Sequence, residues 1–148
     1  MIGAPGRATL TAGLCAIALV SGSNAIAATL QVEIDGVESG GGPVRVALCQ
    51  GGLSEPFCTR GDEAPASGGR ALFTFRDLPP GAYAVAAFQD ANGNGRLDRT
   101  GLGLPLEPYG FSGTVARRAR PDFPDAAFAL QEPGAAVRIR LARALPRR

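Results

Sequence analysis

Apolar residues in this chain alternate with polar ones over short stretches, and nowhere do they keep a sustained helical period. Leu30, Val32 and Ile34 alternate with Gln31, Glu33 and Asp35; Val44, Val46 and Leu48 repeat the pattern; Phe73 and Phe75 begin it a third time. Successive side chains of a strand point to opposite faces, so a period of two specifies strands with one buried face. The run Tyr83-Ala84-Val85-Ala86-Ala87-Phe88 is apolar on both faces and predicts a central strand. Strand character returns at Ala126 to Leu130 and at Val137 to Leu141. Turn signals separate these runs, among them Gly40-Gly41-Gly42-Pro43 and Asp77-Leu78-Pro79-Pro80-Gly81. Residues 50–69 show no period and read as a long loop, and 101–120 as irregular. The pattern predicts an all-β sandwich with Val85 and Phe88 in its core and Arg138 and Arg140 in solvent.

The first 27 residues stand apart from this pattern. Arg7 precedes an uncharged apolar run from Ala8 to Val20, followed by Ala25-Ile26-Ala27. This is the make-up of a secretory signal peptide over 1–27, cleaved at an A-x-A site. The run is shorter than the roughly 20 residues a membrane helix needs, and no membrane span is expected. Ala12-Gly13-Leu14 does not place the small residue beside Cys15 that a lipoprotein signal requires. Residues 28–148 then make one domain with a single core, exported to the periplasm or beyond. In an oxidising compartment the neighbouring Cys49 and Cys58 are expected to form a disulfide.

The chain has no His, which removes Ser-His-Asp and Cys-His nucleophile activation, the imidazole base and histidine metal ligands. All its basic residues are Arg, and they are unevenly spread. Residues 28–116 carry six Arg against ten acids, and 117–148 carry eight Arg against three. Arg138, Arg140 and Arg143, with Arg147 and Arg148, form a stripe that reads as a solvated strand face discouraging edge pairing. No nucleic-acid partner is expected. Tyr83, Tyr109 and Phe111 read as packing residues rather than a sugar-stacking platform.

One loop carries chemistry. Residues 89–101 read QDANGNGRLDRTG. With Asp90 as position 1, Asn92 falls at 3, Asn94 at 5, Gly95 at 6, Arg96 at 7 and Asp98 at 9. These match the template D-x-[DN]-x-[DN]-G of oxygen-ligated calcium loops, in which alternate side chains and one backbone carbonyl, here that of Arg96, turn inward. Gly101 replaces the bidentate Glu of position 12, so a helix-flanked calcium hand is excluded, and Glu107 is the nearest later acid to complete the shell. The expected cofactor is Ca²⁺, held by Asp90, Asn92, Asn94, the Arg96 carbonyl, Asp98 and Glu107. The competing reading is a long hairpin tip in which Asn and Gly occupy left-handed conformations and the carboxylates are solvated.

The segment FRDLPPGAYAVAAFQDANGNGRLDRTGLGLPLEPYGFSG, with PDFPDAAFAL and RIRLA after it, resembles a family of secreted bacterial proteins known as domain of unknown function 2141, over nearly all of residues 28–148. The specific parts are the PPG-x-Y turn and strand, the D-x-N-x-N-x-x-x-D loop, and G-x-P-x-E-x-Y-G-F-S, carried by Gly103, Pro105, Glu107, Tyr109, Gly110, Phe111 and Ser112. The resemblance implies a transthyretin-like (prealbumin-like) antiparallel β-sandwich of about seven strands, and no established activity. Gln89 departs from the family pattern, which has His before the loop's first Asp.

These features point to an exported, non-enzymatic β-sandwich module, stabilised by calcium, that binds an envelope or extracellular ligand through its loops. Two alternatives are a hydrolase acting on an envelope glycan with Asp98 and Glu107 as an acid/base pair, and a purely structural envelope component. A transthyretin-like hydrolase that relies on histidines is disfavoured by their absence.

Overall fold

The computed structural model describes 27–113 and 118–146, together with Gly3. The predicted signal peptide, apart from Gly3 and Ala27, lies outside the described residues, as do Arg147 and Arg148. Eight strands form in the order β1 (Ala28–Asp35), β2 (Val44–Cys49), β3 (Cys58–Ala64), β4 (Arg70–Leu78), β5 (Gly81–Gln89), β6 (Tyr109–Phe111), β7 (Phe128–Leu130) and β8 (Gly134–Arg140). A four-residue helix, α1 (Phe123–Ala126), precedes β7. Among the described residues no helix is long and apolar enough to cross a membrane.

The strands build two sheets. One has the order β4-β1-β8; the other runs β3-β2-β5-β6, with β7 also pairing β5. The run that is apolar on both faces, β5, does lie in the interior of its sheet, with β2 on one side and β6 and β7 on the other. Leu30, Val32, Ile34, Val44, Val46, Leu48, Phe73, Phe75 and Val85 are all buried in one cluster drawn from both sheets. The alternation read from the sequence thus corresponds to the inward faces of a sandwich-like pair of sheets.

The structure corrects the expected organisation in five places, the first being that β6 lies inside the stretch 101–120 expected to be irregular. Among the described residues there are eight strands rather than about seven. The sandwich is not wholly antiparallel, because β8 runs parallel to β1 from Thr29 opposite Gly134 to Asp35 opposite Arg140. The expected loop at 50–69 contains β3, whose residues 59–63 are exposed. An edge strand with no buried face shows no apolar alternation, and β3 is specified by backbone pairing to β2 instead. Phe88 is half-buried and joins a second apolar cluster, with Ala84, Tyr109, Phe111 and Ala126, on the outer face of the five-stranded sheet.

Several expectations hold. Cys49 and Cys58 are disulfide-bonded, as a facing pair on β2 and β3. Arg138 and Arg140 are exposed. Arg138 pairs with Glu33 and Asp35 of the adjacent β1, and Arg143 with Glu38, so two arginines of the basic stripe are answered by acids. Tyr83 is in the main core, donating its hydroxyl to the Pro79 carbonyl at 2.7 Å. Tyr109 and Phe111 pack edge to face with centroids 6.1 Å apart.

Candidate functional site

β5 delivers the chain from Gln89 straight into the loop. Gln89 is fully buried: its Oε1 accepts the Glu38 N–H at 2.8 Å, and its Nε2 donates to the carbonyls of Glu38 and Gly42 at 2.8 and 3.0 Å. The glycine run at 40–42 allows this approach. Gly42 has φ +86, and a Cβ there would collide with the carbonyl oxygen of Asp90.

Asp90 is also fully buried. Its Oδ1 accepts the N–H of Asn94 at 3.1 Å; its Oδ2 accepts the N–H of Gly95 at 2.8 Å and the Arg45 Nε–H at 2.9 Å. Burial pushes this carboxyl up, but the Gly95 amide, the Arg45 guanidinium and the Asn94 amide together outweigh it and hold it below its ordinary value. Gly93 and Gly95 take φ +71 and +77, the left-handed curl expected of them. Arg45 is shared between Asp90 and Glu63.

Glu107 closes the other end. It is buried, and it accepts the Ala91 N–H at 2.8 Å on Oε1 and the Asp98 N–H at 3.2 Å on Oε2. The Leu106 N–H donates to the Asp98 carbonyl at 2.9 Å. Two buried carboxylates therefore pin the two roots of the loop by accepting backbone N–H groups, a role the sequence reading did not assign.

At the exposed tip the remaining predicted residues converge. Asp98 accepts the Asn92 Nδ2–H at 2.6 Å and the Asn94 Nδ2–H at 2.8 Å on its Oδ2. Asn92 Oδ1 accepts the Asn94 N–H at 3.2 Å, and Asn94 Oδ1 the Arg96 N–H at 2.9 Å. The structure thus brings Asn92, Asn94 and Asp98 together, sets Asp90 directly beneath them, and places Glu107 at the loop's base. Among the described residues no three Asp, Glu or Cys side chains converge on one point.

The back of the same loop walls a cleft of about 1100 Å³ on the outer face of the five-stranded sheet. Ala47, Ala86, Phe88 and Phe111 contribute to its floor, Leu53 and Leu97 to its sides.

A family model for uncharacterised proteins conserved in bacteria, DUF2141, matches residues 32–138. The chain belongs to the DUF2141 family. That match takes in both sheets, the loop and its two buried clamps. No curated protein and no solved structure matches this DUF2141 chain.

Proposed function

We propose that this DUF2141 chain is an exported binding module, a transthyretin-like β-sandwich whose 90–107 loop is stabilised by Ca²⁺ and which takes an envelope or extracellular ligand through its loop-lined surface. The observation that carries the metal reading is the convergence of Asn92 and Asn94 on Asp98, whose charge is answered by two amide N–H groups at an exposed point. The donors there are hard oxygens of carboxylate, amide and carbonyl type, which suit calcium rather than zinc. Asp90 supplies Oδ1, which holds a single backbone N–H, and the Arg96 carbonyl is within the same turn. Glu107 fits as the structural base of the site, since both its oxygens hold backbone N–H groups. With few free carboxylates, affinity belongs near the extracellular range of roughly 10⁻⁴–10⁻³ M. The Cys49–Cys58 disulfide agrees with life in an oxidising compartment. The engagement of Asp98 and Glu107 favours a binding role over the acid/base pair of a glycan hydrolase.

The test is a thermal melt in calcium, magnesium and chelator. At about 100 times the dissociation constant, calcium raises stability by about 2.7 kcal/mol, and Asp98→Ala abolishes that increment. An unchanged wild-type midpoint in chelator, with no heat of binding at millimolar calcium, overturns the metal assignment.

A further inference from the structure

The cleft behind the loop is amphipathic in a directed way. Its floor is the outer face of β2, β5 and β6, where Ala47, Ala86 and Phe111 lie side by side in register. Small side chains in the middle of a sheet leave a trough, with Phe88 further along the same face of β5, and Leu53 and Leu97 flank it with apolar surface. The volume, about 1100 Å³, lies just above the range of roughly 300–1,000 Å³ that small-molecule sites occupy.

One rim carries Arg96, Arg99 and Arg120. Arg99 Nη1 donates to the carbonyls of Gly103 and Ala119 at 2.9 and 3.0 Å, tying the two rim segments together. Arg120 reaches over Gly103, where a Cβ would meet its guanidinium. The ion pairs formed among the described residues use Arg45, Arg70, Arg118, Arg138 and Arg143, and none of the three rim arginines. The acids that line the cleft, Glu55 and Asp62, stand just before and on the edge strand β3.

From this juxtaposition we infer that the cleft binds a single-chain amphiphile with a carboxylate head, a long-chain fatty acid, its chain on the Ala47–Ala86–Phe111 floor and its head on the Arg96–Arg99–Arg120 rim. Among the described residues these cations have no carboxylate partner, and an incoming carboxylate supplies one; guanidinium and carboxylate match as planar, bidentate partners. A sugar or other polar anion would leave its hydroxyls against alanine and phenylalanine without hydrogen-bond partners. Glu55 and Asp62 repel an anionic head, which leaves the arginines as its place. The inference deepens the binding-module reading by naming its ligand, and it does not depend on calcium.

The experiment is calorimetric titration of the full chain with laurate below its micellar concentration, beside dodecanol, acetate and anionic phospholipid vesicles, each in calcium and in chelator. Laurate binds saturably at one site in both media, and dodecanol and acetate bind at least about tenfold more weakly. Arg96→Gln with Arg120→Gln weakens laurate by about tenfold; these side chains form none of the protein's hydrogen bonds or ion pairs described above, so the melting midpoint stays put. Ala86→Phe, which fills the trough, abolishes binding with a midpoint within a few degrees of wild type. Absent laurate binding, equal affinity for dodecanol, or binding only to vesicles overturns the assignment. A calcium-raised midpoint without laurate binding leaves the metal reading standing and removes this one alone.

Discussion

Truncating Asp90 to alanine separates what the loop's carboxylates do. The side chain is fully buried and holds three donors: the N–H of Asn94, the N–H of Gly95 and the Arg45 guanidinium. Hydrogen bonds to a charged group contribute about 1.5–3 kcal/mol each. Asn94 and Gly95 are exposed and regain water on truncation, so the low end applies, about 3 kcal/mol for the pair. Arg45 is 34% exposed at its side chain and keeps Glu63, so its share is near that of a surface pair, about 0.5 kcal/mol. The total is about 3–4 kcal/mol, a large part of the 5–15 kcal/mol typical of a domain. Asp90→Asn does not rescue it, because an amide NH₂ replaces one of the acceptors and faces donors. Asp98→Ala in chelator costs less than about 1 kcal/mol, since its partners are solvated amides. Urea unfolding followed by circular dichroism at neutral pH, with chelator, measures all three. If Asp90→Asn melts with wild type, or Asp98→Ala costs as much as Asp90→Ala, the buried-clamp reasoning fails.

Other outcomes follow from the same coordinates. Because the folded carboxyl of Asp90 lies below its ordinary value, its stabilisation is complete above the unfolded value and is lost as pH falls below about 4; Asp90→Ala should flatten the acid limb of a stability–pH curve. Val85→Asp puts an unpaired charge into the fully buried centre of β5 and should cost several kcal/mol, whereas Arg138→Ser, on an exposed face, should stay within about 0.5 kcal/mol in the same urea assay. Alkylation without reduction should leave Cys49 and Cys58 unlabelled by intact mass, and reduction should lower stability by about 2–3 kcal/mol.

The inward faces of β1, β2, β4 and β5 were legible in the sequence because hydrophobic period is a local property, and Leu30, Val46, Phe73 and Val85 each carry it within their own strand. β3 was not legible: CTRGDEA buries neither face fully, and only the backbone of β2 defines it. The outward position of Phe88 was hidden for the opposite reason. A strand apolar on both faces does not say which face meets the main core, and here the second cluster covers the other one. In the loop, the residue types from Asp90 to Asp98 were legible but their division of labour was not. Gln89 stands out in the sequence only as a departure from the family pattern, although the Gly40-Gly41-Gly42 run signals that another backbone passes close.

That division of labour bears on what calcium can do. The loop's roots are held by protein groups alone: Asp90 takes the amide of Gly95, Glu107 those of Ala91 and Asp98, and Asp90 donates its own N–H to the Pro43 carbonyl at 2.8 Å. In a metal-dependent small domain the ligands lack any preformed arrangement, so binding and folding are one event. Here the arrangement stands on hydrogen bonds to buried carboxylates, and the proposed cation at Asn92, Asn94 and Asp98 would add to a loop that is already curled. Calcium should therefore raise stability without being needed for folding. Amide hydrogen exchange in chelator tests this directly: the N–H groups of Ala91 and Gly95 should stay protected, while the side-chain amides of Asn92 and Asn94 exchange freely. Loss of protection at Ala91 and Gly95 on removal of calcium would mean that the ion, and not the buried carboxylates, holds the loop.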